Sequence, residues 1–114
     1  MRATLRLDFD RGRLGPGKIA LLEAIRNTGS ISAAGRQFGM AYRRAWLLVD
    51  EVNRMFFTPL VLARGGGKNG GGAELTELGQ RIVQLYRDAE RKAEIGTITE
   101  ISEISAALAQ PKPG

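Results

Sequence analysis

The 114-residue chain contains neither cysteine nor histidine. Without cysteine it forms no disulfide and carries out no thiol chemistry. Without histidine it lacks the usual transition-metal ligand and the usual general base. These absences argue against a metalloenzyme and against a triad hydrolase. We therefore predict that the chain is not an enzyme and has no cofactor.

Long apolar runs are also missing, since no stretch approaches the roughly 20 residues of a membrane span. The first ten residues, MRATLRLDFD, alternate between polar and apolar instead of forming the core of a signal peptide. Hydrophobic residues make up 43% of the chain and charged residues 25%, which is ordinary for one soluble domain. We therefore predict a cytoplasmic protein with no membrane partner.

Positive charge is concentrated in one part of the chain. Residues 1–72 contain 12 lysines and arginines against 5 aspartates and glutamates, whereas residues 73–114 contain 5 against 7. A basic region of this kind is typical of a surface that faces polyphosphate. We therefore expect double-stranded DNA as the partner of the first region.

The segment SISAAGRQFGMAYRRAWLLVDEVNR, from Ser30 to Arg54, predicts a short helix, a tight turn and a longer helix. Ser30 is suited to cap the short helix, Gly39 is suited to end it, and Ala41 begins the longer one. The apolar face of the longer helix is predicted to contain Tyr42, Ala45, Trp46, Val49, Val52 and Phe56. This pattern is typical of a helix-turn-helix, whose second helix enters the DNA major groove. The alternative is an ordinary helical hairpin with solvated arginines.

The residues before this segment predict one strand and one helix. Residues 3–9 alternate between apolar and polar side chains, as in a half-buried strand. Residues 11–17 predict a glycine-rich turn, and a first helix is expected from Pro16 or Gly17 to Asn27. Together with the helix-turn-helix, this helix predicts a three-helix core.

The residues after the helix-turn-helix predict a β-hairpin. Residues 60–62 and 73–75 read as short strands, joined by GGGKNGGG at residues 65–72. A basic, glycine-rich hairpin in this place is typical of a wing, and Lys68 can neutralise a phosphate or enter the minor groove. A simple flexible hairpin tip is the main alternative. A nucleotide-binding P-loop does not fit, because Lys68 is followed by Asn69 instead of serine or threonine.

Two more helices are predicted at the C-terminal end. Thr76 is suited to cap a fourth helix that ends at Gly96. Its apolar stripe is predicted to contain Leu78, Ile82, Leu85, Tyr86, Ala89 and Ala93. Residues 97–100 match a capping box. The final short helix that follows carries an apolar stripe of Ile98, Ile101, Ile104 and Leu108.

The predicted fold class is mainly α with a small β-sheet: a winged helix-turn-helix with a C-terminal helix for dimerisation. We place the winged helix-turn-helix in residues 1–94, including the long fourth helix, and the short final helix with a frayed tail in residues 95–114. The final helix either packs on its own domain or against a second copy. Since two-fold symmetric proteins read two half-sites, we expect a homodimer.

Several of these motifs together resemble a known family. They are the S-I-S-A-A opening, the G-M-x-Y turn, the pair Ala45-Trp46, the P-L-V strand, the G-G-x-G-G-G wing and the L-T-x-x-G-Q start of the fourth helix. Over residues 3–94 the chain resembles the N-terminal winged helix-turn-helix domain of molybdate-responsive, ModE-type transcriptional regulators, and more distantly the LysR type. The resemblance implies an operator-binding dimer that controls molybdenum-related genes.

Members of this family that sense molybdate carry β-rich oxyanion-binding modules after the DNA-binding domain. The roughly 20 residues after residue 94 leave no room for such a module. The resemblance therefore implies a chain without molybdate sensing of its own. Arg44 stands where the family implies a small residue, which adds a base or phosphate contact and implies a different operator.

The predicted DNA-binding residues fall into three groups. The first group lies at and after the start of the longer helix: Ala41, Tyr42, Arg43, Arg44 and Leu47. Tyr42, Arg43 and Arg44 are expected to read bases there. Ser30, Ser32 and Arg36 are expected to position the domain on phosphates, and Lys68 with Asn69 to hold the flanking backbone. The alternative function is a protein-interaction adaptor that recruits a partner through its winged helix and apolar C-terminal helix.

Overall fold

The computed structural model describes residues 3–64 and 72–110. The chain order is β1 Leu7–Phe9, β2 Gly12–Leu14, α1 Pro16–Thr28, α2 Ile31–Gln37, α3 Tyr42–Met55, β3 Val61–Ala63, β4 Ala73–Leu75, α4 Glu77–Gly96 and α5 Ile98–Ala106. The first three helices surround one core with β4 and the first half of α4 packed against it. The predicted fold class, a winged helix-turn-helix, is confirmed.

The turns around α2 follow from single residues. Gly29 and Gly39 have φ angles of 71° and 68°, a left-handed conformation that side chains with a Cβ rarely adopt. Ser30 caps α2, because its Oγ accepts a hydrogen bond of 3.0 Å from the Ala33 N–H. A Cβ on Gly35 would lie 2.9 Å from the Cβ of Ala45, so α2 and α3 approach closely only because residue 35 is glycine.

The apolar face of α3 is narrower than predicted. Its buried residues are Ala45, Val49, Val52 and Met55. Tyr42 and Trp46 are 57% and 46% exposed, so their assignment to the buried face was wrong. Both lie at the edge of the apolar stripe, about 60–100° round the helix from its centre, where helical spacing alone does not decide burial.

The structure contains two separate antiparallel hairpins, of which the one after α3 was predicted and the one at the N-terminus was not. The strand expected over residues 3–9 is limited to β1, and the turn expected over residues 11–17 contains β2. Phe9 pairs with Gly12, so Asp10 and Arg11 form a two-residue turn. β3 pairs with β4 to form the base of the wing, close to the predicted strands.

The start of α4 is fixed to the base of the wing. Thr76 caps the helix by accepting from the Gly79 N–H at 3.0 Å, and its hydroxyl donates to the Pro59 carbonyl at 2.8 Å. The side of α4 that faces the core is formed by Gly79, Val83 and Tyr86. The predicted stripe was therefore only partly right, because Leu85 and Ala89 are exposed.

An ion pair joins α4 to α1. The Arg87 guanidinium donates to both carboxylate oxygens of Glu23, at 2.7 and 3.1 Å, and also contacts Glu90 at 2.8 Å. The hydrogen bond from Arg87 lowers the pKa of Glu23 despite its partial burial. Tyr86 donates to the carbonyl of Leu5, which ties the N-terminal segment to α4.

Glu23→Gln is expected to lower the free energy of unfolding by about 1 kcal/mol near neutral pH, since it removes a bidentate charge pair that is partly exposed to solvent. The pKa of Glu23 is lowered on folding, so the charged pair stabilises the fold above the ordinary carboxyl pKa of 4.5. This stability disappears as the pH falls through the lowered value. Urea unfolding of both proteins from about pH 7 to about pH 3 measures the effect. A difference that stays constant over this range would contradict the assignment.

The predicted capping box at the start of α5 is wrong. The Thr97 hydroxyl donates to the Ala93 carbonyl of α4 at 2.7 Å and does not cap α5. Within the described part of the chain, α5 has no buried residue. Ile98, Ile104 and Leu108 are 59%, 65% and 65% exposed. The apolar stripe is therefore open to solvent in a single copy.

Candidate nucleic-acid interface

The outward face of α3 is formed by side chains at helical spacing opposite the core. Arg43, Leu47, Asp50 and Arg54 lie on it, and their spacing of three or four residues places them in one line along the helix. Asp50 accepts a hydrogen bond of 3.0 Å from Arg54. The line thus presents a cation, an apolar side chain and an ion pair in sequence. These are side-chain types that read guanine, the thymine methyl group and the phosphate backbone in a major groove.

The N-terminus of α3 lacks a side-chain cap and carries positive charges, both of which are unfavourable at the start of a helix. Ala41 is the residue at the cap position, and its methyl side chain cannot accept a hydrogen bond from the first turn. The first turn carries Arg43 and Arg44 at the positive end of the helix dipole, which costs stability. Exposed cations at an uncapped helix start are expected where an anionic ligand supplies the missing interactions.

Of the residues predicted to position phosphates, Arg36 is exposed on α2, while Ser32 and the cap residue Ser30 are half-buried. The Arg36 guanidinium donates to Ser32 Oγ at 2.9 Å, so the two side chains form one polar unit. Ser30 Oγ is engaged as a cap, yet its own hydroxyl hydrogen remains available to a phosphate oxygen. The structure therefore brings Ser32 and Arg36 together and confirms Ser30 as the cap of α2, while its contact with a phosphate stays a prediction.

The described base of the wing lies along one flank of α3. Asn53 holds it there: its side-chain amide donates to the Val61 carbonyl at 3.0 Å, and its side-chain oxygen accepts from the N–H groups of Leu60 and Val61. The other strand of the wing is joined to the turn before α2 by a 2.8 Å hydrogen bond from the Ala73 N–H to the Gly29 carbonyl. The base of the wing is therefore fixed to both helices of the helix-turn-helix.

Two of the predicted DNA-binding residues, Lys68 and Asn69, lie outside the described residues. At the described base of the wing, Arg64 pairs with Glu74 at 3.0 Å. This pair links the two strands across the hairpin. Tyr42 and Trp46 share a side of α3 with Asn53 by helical spacing, so they lie towards this wing, next to the outward face.

The β1–β2 hairpin lies along the opposite flank of α3, and sequence reasoning missed this contact. Lys18 holds it in place, because its ammonium group donates to the Arg13 carbonyl at 2.6 Å and to Glu51 on α3 at 2.9 Å. Gly12 packs directly against Met55, where a Cβ would lie 2.9 Å from the sulfur. An open cleft of about 580 Å³ separates the hairpin from α3.

Arg44 lies on this second flank and not beside Arg43. Consecutive residues of a helix differ by about 100° in direction. Arg44 accordingly lines the cleft together with Arg11 and Arg13 of the hairpin. Of the residues predicted to read bases, the structure places Arg43 centrally, Tyr42 towards the wing and Arg44 towards the β1–β2 hairpin.

Among residues 3–64 and 72–110, no helix combines the length and the hydropathy needed to cross a membrane.

Comparison with proteins of known sequence finds similarity to molybdenum-related regulators. The chain is 47% identical over 80 residues to the molybdenum-pterin-binding protein MopB of Rhodobacter capsulatus, which covers 70% of this chain and 30% of MopB. It is 43% identical over 89 residues to the molybdenum transport protein ModE of Azotobacter vinelandii, covering 77% of this chain and 33% of that protein. The DNA-binding transcriptional dual regulator ModE of Escherichia coli K12 is 45% identical over 71 residues, or 62% and 27% of the two chains.

The chain spans about a third of the length of these relatives. The predicted resemblance to ModE-type regulators is confirmed for this part. No protein-family model matches the chain. Among solved structures, a LysR family transcriptional regulator superposes with a TM-score of 0.61 at 14% identity, covering 88% of this chain and 32% of the other. At this identity the likeness shows the fold alone.

Proposed function

We propose that the chain is the DNA-binding part of a transcriptional regulator of molybdenum-related genes, and that it binds a specific operator in duplex DNA as a homodimer. The observation that carries the proposal is the line of Arg43, Leu47 and Asp50 on the outward face of α3, which lies between two hairpins and begins at an uncapped helix start. The similarity to ModE of Escherichia coli K12, a DNA-binding transcriptional regulator by name, supports it.

The geometry favours reading of the major groove by α3. Arginine presents two parallel donors to the O6 and N7 atoms of guanine, and each good pair of this kind contributes roughly 1–3 kcal/mol of discrimination. Leu47 lies one turn along the helix from Arg43, where it is suited to contact a thymine methyl group. Ser32 and Arg36 on α2 are suited to hold the neighbouring phosphates.

The homodimer is proposed from the apolar surface of the C-terminal helices. Ile95 near the end of α4 and Ile98 and Ile101 of α5 line a shallow apolar cleft of about 310 Å³. An isolated helix as short as α5 is only marginally stable in water, so a partner that covers its apolar side is expected to stabilise it. A second copy would also place two α3 helices for two half-sites of one operator.

The proposal includes neither an enzymatic activity nor a cofactor, and it places the protein in the cytoplasm. Molybdate sensing is not assigned to these residues. In this proposal a separate oxyanion-binding region, or a separate protein, carries that function.

The test is selection of bound fragments from genomic DNA by the purified protein at two salt concentrations, followed by sequencing. The expected result is an enriched palindrome whose half-sites lie about one helical turn apart, with affinity that falls steeply as salt rises. Enrichment of single half-sites would contradict the homodimer but would leave operator recognition intact. Salt-sensitive binding without an enriched sequence would contradict operator recognition, and no binding at low salt would overturn the proposal.

A further inference from the structure

We propose that the β1–β2 hairpin is a second DNA-contacting wing, and that Arg11 of this hairpin and Arg44 of α3 together bind the phosphate backbone along the edge of the major groove opposite the first wing. This inference rests on the proposed function, since it assigns a further contact to the same DNA-binding surface. It also gives Arg44 a different role from Arg43.

The position of the hairpin is fixed by contacts that leave its tip exposed. Lys18 is mostly buried, with 14% of its side chain exposed, and it bridges the hairpin backbone to Glu51. Met55 packs against the backbone of Gly12. Arg11 lies in the two-residue turn beyond these contacts, and its side chain is exposed. The hairpin is therefore held at its base and open at its tip, as a wing is.

The charges around the cleft leave two cations available. Asp8 is neutralised by Arg6 at 3.0 Å and by Arg13 at 2.9 Å, and the hydrogen bond from Arg6 holds the pKa of Asp8 below its ordinary value. Lys18 neutralises Glu51. In the described parts of the chain, Arg11 and Arg44 have no carboxylate within ion-pair distance.

Asp10 is the acidic residue of the cleft that opposes this role. It lies beside Arg11 in the turn and has no basic partner among the described residues. Its carboxylate repels a phosphate, so it weakens the binding of the hairpin to the DNA backbone. A wing with a weakened contact fits a regulator that must leave its operator.

Arg44 and Arg11 face the same cleft from opposite sides. The cleft between the hairpin and α3 has an open volume of about 580 Å³, which is available to backbone atoms of a ligand. A recognition helix in a major groove has one phosphate strand along each flank, because the groove is bounded by the two strands of the duplex. One flank of α3 carries the base of the first wing, and the opposite flank carries Arg44 and the β1–β2 hairpin. Each of the two hairpins is therefore placed to contact one of the two phosphate strands.

The test compares Arg11→Ala, Arg44→Ala and wild type on the selected operator and on unrelated DNA over a range of salt. Each variant is expected to show a salt dependence of log affinity that is shallower by about 0.9, the value for one lost phosphate contact. The preference for operator over unrelated DNA should stay unchanged. Arg11→Lys keeps the positive charge, so its affinity is expected to depend on salt as steeply as that of wild type. Asp10→Asn is expected to tighten binding to both the operator and unrelated DNA.

Lys92→Ala is the matched control, because it removes one exposed charge on α4 from a residue that does not line the cleft. Operators with one neutral methylphosphonate locate the contact: the substitution that weakens wild type should have no effect on Arg11→Ala. Equal salt slopes for Arg11→Ala, Lys92→Ala and wild type would overturn the second wing while leaving the proposed function intact. Loss of preference at one base pair in Arg44→Ala would overturn the backbone role of Arg44. Wild-type protein that binds no DNA would instead defeat the proposed function.

Discussion

Replacing Gly79 by alanine is expected to lower the free energy of unfolding by about 3 kcal/mol, at the upper end of the usual cost of overpacking. A Cβ at this position would lie 2.3 Å from the backbone oxygen of Leu60. That oxygen cannot move away freely, because it accepts a 2.9 Å hydrogen bond from the Thr76 N–H. Relief of the clash requires α4 to separate from the base of the wing. Urea unfolding followed by circular dichroism measures the change.

Gly17→Ala is the matched control for this substitution. Gly17 lies in the first turn of α1, and a Cβ there would meet no other described atom within 4 Å. Alanine there should raise stability by about 0.5–1 kcal/mol, because glycine in a helix costs conformational entropy. An unfolding midpoint of Gly79→Ala equal to that of wild type would show that α4 does not pack against Leu60 as described.

Replacing Arg43 by alanine is expected to remove discrimination at one base pair of the operator, a loss of roughly 1–3 kcal/mol of specific binding. Binding to unrelated DNA should weaken much less, because Arg43 lies centrally on the outward face of α3 and the proposed phosphate contacts lie on its flanks. Removal of a cation from the first turn of α3 should also stabilise the free protein by about 0.3–1 kcal/mol. Fluorescence anisotropy with operator variants and thermal unfolding measure the two effects.

Arg91→Ala is a suitable control for Arg43→Ala, since Arg91 is exposed on α4 and pairs with Asp88 at 2.7 Å. It should leave operator preference unchanged. The double variant Arg43→Ala with Arg44→Ala should bind the operator far more weakly than wild type. Operator binding that survives the double change would contradict reading by α3.

Helix boundaries could be predicted from sequence because single residues fix them. Ser30 and Thr76 both cap the helices that their positions predict, through hydrogen bonds of 3.0 Å to backbone N–H groups. Gly39 has the left-handed conformation expected after α2. At the start of α5 the same reasoning failed, because the Thr97 hydroxyl had a second acceptor, the Ala93 carbonyl of the preceding helix.

Side-chain burial was harder to predict because it depends on neighbours far away in the chain. The core side of α4 contains Gly79, whose lack of a side chain is invisible to a hydrophobic pattern. Leu85 was assigned to that side because it lies at helical spacing from Leu78 and Ile82, yet it is 44% exposed. On α3, the location of Tyr42 and Trp46 at the edge of the apolar stripe led to the same type of error.

The helix of the candidate site, α3, could be predicted from the sequence, but the β1–β2 hairpin on its flank could not. The identity of α3 as the exposed helix follows from local spacing, so Arg43 and Leu47 could be chosen from sequence. Alternation over residues 3–9 predicted the strand that contains β1, whereas β2 has only three residues and lies in a segment predicted to be a glycine-rich turn. Its position beside α3 depends on Lys18, whose contact with Glu51 spans 33 residues of chain. Local patterns contain no information about such a contact.

The hydrogen bond between Ala73 and Gly29 affects the entropy of complex formation. It joins the base of the first wing to the turn before α2, while Asn53 joins the other strand to α3. Both strands of the hairpin base are therefore tied to the helix-turn-helix. A unit joined in this way loses its translational and rotational freedom once, when the first contact forms. Each later contact by a wing is then an intramolecular step at high effective concentration, so even a weak contact slows dissociation.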